Sequence, residues 1–171
     1  MIDLSKFIRD VPDFPKPGIV FKDITPLLGS AEGLAEAVEA MAKPFWGKSI
    51  DAVAGIESRG FIFGSAMACL LNVGFVPVRK PGKLPYEKVR EEYQLEYGTD
   101  AVEVHRDGVQ PGQRILMVDD LLATGGTMAA SCALIERIGG AVAGVAFLIE
   151  LSFLNGRERL NGREIHAVIR Y

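Results

Sequence analysis

The sequence predicts an α/β fold: a twisted, mostly parallel sheet with helices on both faces. Three observations predict it. Short apolar strand-like runs alternate with helix-like runs, the pattern of right-handed βαβ units. The runs at 114–118 and 142–149 are almost continuously apolar, as in strands buried on both faces. The chain has 171 residues, 49% of them apolar, which fits one domain with a sizeable core.

The elements follow in order. Ile2 to Arg9 reads as a short helix. Prolines at 12, 15, 17 and 26 then make VPDFPKPGIVFKDITPLL an ordered arm, because proline fixes φ and removes donors. Leu34, Val38, Met41 and Phe45 recur at steps of four, three and four, one face of an amphipathic helix. Asp51 to Ile56 is a short strand, ESRG a turn, and Phe61 to Leu71 an apolar helix. Gly60, Gly64 and Ala68 lie four apart, so one side of that helix can press onto a sheet. Ile62, Phe63 and Met67 on it suit either core or interface. Val73 to Val78 is the next strand.

Arg79 to Tyr93 is charged, broken by two prolines and a glycine, and lacks a clean period, so it reads as a surface loop of the length that often forms a lid. Gln94 to Tyr97 and Ala101 to His105 read as paired strands around Gly98-Thr99. Arg114 to Val118 is a buried strand, and Gly126 to Ile138 a helix that Gly139-Gly140 ends. Val142 to Ile149 and Ile165 to Arg170 complete the strands.

Composition narrows the function. A formal net charge of −3 gives no general pull toward nucleic acid or anionic membrane. No run approaches the roughly 20 apolar residues of a membrane helix, and the first residues lack a signal-peptide core, so a cytoplasmic location is expected. Cys69 and Cys132 are expected to be buried free thiols, and with two distant His they give no metal-ligand spacing.

The segment Ile115 to Thr127, ILMVDDLLATGGT, concentrates the chemistry. Ligands of doubly wound sheets bind outside the carboxyl ends of strands. Asp119 and Asp120 are expected at such an end, before a loop that opens a helix. Gly125 and Gly126 let the backbone turn tightly and aim several N–H groups at one point. The helix N-terminus adds free N–H groups and its positive dipole end, and Thr124 and Thr127 add hydroxyls. That suits a phosphate monoester. The acidic pair beside it suits a sugar diol, so the segment reads as a 5-phosphoribosyl site. No Lys follows the glycines, so it is not a Walker A loop.

VDDLLATGGT resembles the phosphoribosyl-pyrophosphate signature of type I phosphoribosyltransferases. The arm DFPKPGIVFKDITPLL, the turn ESRGF, RKPGKLP and LEYG extend the resemblance over nearly the whole chain, toward the adenine-specific members. It implies a single type I phosphoribosyltransferase domain over 1–171, with a small N-terminal hood at 1–30 and a flexible catalytic loop at 79–98. Ala123, Thr124, Gly125, Gly126 and Thr127 would then hold the 5-phosphate, and Asp119 and Asp120 the ribose hydroxyls. Glu57, Ser58, Arg59 and Gly60 would form the pyrophosphate loop, where the family often has a non-proline cis peptide. Phe21 would stack on adenine, or pack in the core, while the backbone of Val20 and Lys22 reads the base edge. Family members often carry Arg where this chain has Lys22, a difference of little weight for a backbone contact.

Within the catalytic loop, Arg79, Lys80 and Lys83 would neutralise pyrophosphate, and Glu96 would handle a proton on the purine. Lys88, Arg90, Glu91 and Glu92 also fit a plain solvated charge run. The implied reaction joins adenine to 5-phosphoribosyl 1-pyrophosphate, giving AMP and pyrophosphate, in a homodimer with Mg²⁺ arriving on the donor and no protein metal ligands. Transfer to another purine base, or a non-catalytic donor-binding regulator, are the alternatives; no nucleic-acid or membrane partner is expected.

Overall fold

The computed structural model describes residues 2–94, 98–160 and 162–171. Its centre is a five-stranded parallel sheet in the order β4-β3-β7-β8-β9. These strands are β3 (Ala52–Ile56), β4 (Gly74–Val78), β7 (Arg114–Leu122), β8 (Ala141–Glu150) and β9 (Ile165–Arg170). Two antiparallel hairpins stand apart from it: β1 (Arg9–Pro12) with β2 (Val20–Asp23), and β5 (Lys88–Gln94) with β6 (Thr99–His105). The helices are α1 (Thr25–Leu28), α2 (Ala31–Ala42), α3 (Gly60–Leu71) and α4 (Gly126–Arg137). None is long and apolar enough to cross a membrane among the described residues.

Side-chain alternation along β7 divides the core in two. Ile115 and Met117 face α4 and the β5–β6 ribbon, packing with Met128, Leu134 and Ile135. Leu116 and Val118 face α2 and α3, packing with Met41, Phe63 and Met67. The chain leaves β3 through α3 on one face and leaves β7 through α4 on the other. The carboxyl ends of β3 and β7 therefore flank the crevice where doubly wound sheets bind ligands.

Local sequence accounts for the fit. Ser30 caps α2 by accepting from the Gly33 N–H at 3.1 Å. Gly64 lets α3 lie directly on β3: a Cβ there would sit 3.2 Å from Gly55 Cα and 2.9 Å from the Phe75 ring. The small-residue side expected from Gly60, Gly64 and Ala68 is indeed the buried one. Phe63 and Met67 are core, while Ile62 faces outward at 38% exposure.

Several expectations are corrected. The N-terminal helix is only a 3-10 turn at Leu4–Phe7, capped by Asp3, and the arm becomes a hairpin from Arg9. Residues 79–93 are not all loop, since Lys88–Gln94 is a strand whose Val89, Glu91 and Tyr93 turn inward. Its period of two was hidden because one inward residue is charged: Glu91 pairs with Arg137 of α4. Of the strand predicted at 94–97, Gln94 is the last described residue of β5, and 95–97 lie outside the described residues. Strand β7 runs on to Leu122, so the acidic pair lies within the strand, and Cys69 is exposed whereas Cys132 is buried.

Leu116 is fully buried on the α2–α3 face. Leu116→Ala is expected to cost about 2–5 kcal/mol of unfolding free energy in a urea titration; a loss under about 1 kcal/mol would show that this face of β7 is loosely packed.

Candidate functional site

Asp119 and Asp120 sit on β7 where it passes the start of α3. Asp120 is buried, at 5% exposure, and Asp119 is half-buried. Burial pushes both carboxyls up from their ordinary range, Asp119 the further because the Asp120 charge adds to the effect. Arg59 works against the rise at Asp120, with its Nε 2.9 Å from Oδ2. That contact is an ion pair without hydrogen-bond alignment, so Asp120 Oδ2 has no hydrogen-bond donor among the described residues. Gly60 is required beside them, since a Cβ there would lie 2.7 Å from Asp119 Oδ1 and 3.1 Å from Val118 O.

The loop Ala123–Gly125 leads from β7 into α4. Gly125 has φ +82°, and a Cβ on it would lie 2.4 Å from Gly156 O, so both conformation and space demand glycine. Helix α4 starts with no side-chain cap and no acidic residue in its first turn. Its first N–H groups and positive dipole end are left for an anion. A cavity of about 80 Å³ lies there, lined by Asp119 and by residues 121–128 with Phe147. The expected 5-phosphate residues and Asp119 therefore line one cavity, with Asp120 the next residue along β7 but outside its lining.

The turn Glu57–Gly60 follows β3 and carries a cis Glu57–Ser58 peptide. Arg59, besides Asp120, has its guanidinium carbon 5.1 Å from the centre of the Phe21 ring. The Glu57 carboxylate accepts from two cations, Arg79 Nε at 3.0 Å and Lys83 Nζ at 2.8 Å, and from the backbone N–H of Lys80 at 2.9 Å. Burial would raise its pKa, but these donors hold it below the usual carboxylate range. Glu57 thus gathers the basic segment at the turn. Lys80 Nζ goes elsewhere, to Asp100 and to Tyr93 Oη at 2.7 Å. Glu96 lies outside the described residues.

In the hood, β1 pairs with β2 in the register Asp10↔Lys22 and Pro12↔Val20. Pro12 has no N–H, so Pro12↔Val20 belongs to the non-hydrogen-bonded class, and by alternation so does Asp10↔Lys22. The backbone N–H and C=O of Val20 and Lys22 therefore point to the open edge of β2. The Lys22 side chain is engaged away from Phe21, 2.7 Å from Asp10 and over the Tyr171 ring. Phe21 is half-buried beside Phe14 and Arg59, so it belongs to neither main core cluster. A cleft of about 610 Å³ joins Val20 and Lys22 to Thr124 and Leu151.

Supporting residues escaped the sequence reading. Glu150 is buried and accepts both Arg157 Nε and Nη2 at 2.7 Å, which fixes the Gly156 turn against Gly125. Glu103 is buried and accepts the Gly82 N–H at 3.0 Å, which braces the Lys80–Lys83 turn. Their only sequence signal was an acid on an otherwise apolar strand.

A family model described as a phosphoribosyl transferase domain matches residues 26–165. The chain is 57% identical over 169 residues to the adenine phosphoribosyltransferase of Chloroflexus aurantiacus, covering 99% of this chain and 98% of that one. It is 57% identical over 171 residues to that of Methylococcus capsulatus, covering 100% of both. The crystal structure of adenine phosphoribosyltransferase from Thermoanaerobacter pseudethanolicus superposes with a TM-score of 0.96 at 53% identity, covering 98% of each chain. That from Saccharomyces cerevisiae, complexed with an imino-altritol bisphosphate and adenine, gives 0.91 at 37% identity and 96% of each chain.

The acidic pair has a consequence for stability. The folded-state pKa values lie above the unfolded value, so the folded protein holds these protons more tightly. The ionised pair then costs stability as pH rises through the folded values, and the cost vanishes below the unfolded one. Asp119→Asn is expected to raise the melting temperature, more at pH 8 than at pH 5; an unchanged or lower melting temperature at pH 8 would contradict this.

Proposed function

The chain belongs to the phosphoribosyltransferase family, and we propose that this site transfers the 5-phosphoribosyl group from 5-phosphoribosyl 1-pyrophosphate to adenine, giving AMP and pyrophosphate. One observation carries the reading: Asp119 and the capless start of α4 line one cavity at the end of β7, and the cleft along the hood edge reaches Thr124 of the same loop. The relatives and the superposed structures are named for adenine, which favours adenine over guanine, hypoxanthine, xanthine or orotate.

In this reading Ala123, Thr124, Gly125, Gly126 and Thr127 hold the 5-phosphate through loop and helix N–H groups and the two hydroxyls. Asp119 and Asp120 accept from the ribose hydroxyls, and the unpartnered Asp120 Oδ2 is one waiting acceptor. The turn Glu57, Ser58, Arg59 and Gly60 takes the pyrophosphate, with Arg59 supplying a cationic fork. Lys80 and Lys83 join Arg59 against the charge that develops as pyrophosphate leaves. Phe21 stacks on the base while Val20 and Lys22 read its edge with their backbone.

Adenine N9 attacks the anomeric carbon, the bond from that carbon to pyrophosphate breaks, and configuration inverts. The base loses a proton as the glycosidic bond forms, and Glu96 is the proposed group to handle it. The ribbon β5–β6 carries the lid that excludes water from the electron-poor sugar. Mg²⁺ fits the acidic donor set at Asp119 and Asp120 as a hydrated ion carried by the donor, and it would neutralise pyrophosphate oxygens. Among the described residues no cluster of three metal-ligating side chains exists to hold it independently.

A homodimer is proposed through the outer faces of α2 and α3, where Leu70 of α3 and Trp46, four residues beyond α2, are about half exposed, at 49% and 47%. A cytoplasmic location is supported by two unpaired thiols, one of them exposed.

Supplied with the donor, Mg²⁺ and a panel of bases, the protein is expected to form nucleotide from adenine far faster than from guanine, hypoxanthine or xanthine. Product from guanine or xanthine alone would overturn the adenine assignment. Asp120→Asn is expected to weaken donor binding by about tenfold or more in titration calorimetry, since a buried charged acceptor is lost; equal donor affinity would remove Asp120 from the diol site.

A further inference from the structure

One partly buried polar chain links the ribbon to the loop at the start of α4. Tyr93 lies on β5, with its ring against Gly126: a Cβ on Gly126 would be 3.3 Å from Tyr93 Cδ2. Its hydroxyl meets three partners. Thr127 Oγ1 lies at 3.1 Å, Lys80 Nζ at 2.7 Å and Asp100 Oδ2 at 3.1 Å.

The proton inventory fixes the direction of each bond. Asp100 is a carboxylate, kept ionised by Lys80 and its other donors despite partial burial, so it only accepts. Tyr93 must therefore spend its single proton on Asp100. Lys80 has only donors. Thr127 must then donate its single hydroxyl proton to Tyr93 Oη. A hydroxyl has one proton, so Thr127 Oγ1 cannot also donate to a phosphate oxygen in this arrangement.

We propose that Tyr93 is a positioning residue for the donor: its hydroxyl competes with the 5-phosphate for the Thr127 proton and so sets donor affinity from the lid side. The inference rests on the reading of Ala123–Thr127 as the 5-phosphate loop. Seating the phosphate breaks the Thr127–Tyr93 bond and loosens the ribbon from α4. The same hydroxyl holds Lys80, so occupancy at the phosphate end is communicated to a cation of the pyrophosphate end. The phosphate loop and the lid are thereby coupled through one oxygen atom.

The test uses the full chain and titration calorimetry with the Mg²⁺ complex of 5-phosphoribosyl 1-pyrophosphate. Tyr93→Phe keeps the ring against Gly126 and removes only the competing oxygen. It is expected to tighten donor binding by about threefold to tenfold, the size of one net hydrogen bond. The same change made on Thr127→Val is expected to leave donor affinity within about twofold, because no proton remains to be contested. Thr127→Ser should restore the gain. Weaker or unchanged binding in Tyr93→Phe, or a gain that persists on Thr127→Val, would overturn the proposal and leave Tyr93 a structural contact of the ribbon. Failure of the underlying loop assignment reads differently: Thr127→Val alone would then bind the donor and ribose 5-phosphate as tightly as the parent.

Discussion

Two adjacent carboxylates are carried into the interior by the central strand, and much of the site answers to that constraint. Asp119 and Asp120 extend a run of buried apolar residues in β7, so they are desolvated by the same sheet that makes the fold stable. Leaving them ionised there is costly. Arg59 offsets part of the cost from the end of β3, and the positive start of α4 lies on the other side. Neither aligns a hydrogen bond with Asp120 Oδ2. The pair is held ready rather than satisfied, which is the condition expected of acceptors that wait for a sugar diol.

The backbone around the pair is arranged to let other groups approach. Gly60 allows the turn after β3 to touch Asp119, and Gly125 allows the turn at Gly156 to touch the loop before α4. Arg157, paired with the buried Glu150, holds that second turn, and Glu103 and Glu57 hold the basic segment. Several acids here thus act as supports for cations or turns, while Asp120 meets Arg59 without an aligned hydrogen bond. The Tyr93 chain adds a contact from the lid to the same loop.

Much of this was legible in the residues. The parallel sheet followed from continuous apolar strands, and the loop followed from glycines placed between a strand and a helix. What escaped were interactions that span long sequence separations. Tyr93 meets Thr127 across 34 positions, and its strand was concealed by Glu91, an inward charge that only Arg137 explains. The hood hairpin was masked by prolines, although Pro12 fits the register that turns the backbone groups of Val20 and Lys22 to the edge. Cys69 looked like a core residue because α3 is apolar on every side, including the exposed face proposed for the dimer.

The central claim is that one site holds a phosphate and a vicinal diol side by side. The most direct measurement compares ribose 5-phosphate with 2-deoxyribose 5-phosphate by titration calorimetry. With a buried carboxylate left unpartnered, the deoxy sugar is expected to bind about tenfold to a hundredfold more weakly, at unchanged stoichiometry. Equal affinity for the two sugars would mean that Asp119 and Asp120 do not read the diol, and the account of the site would fail.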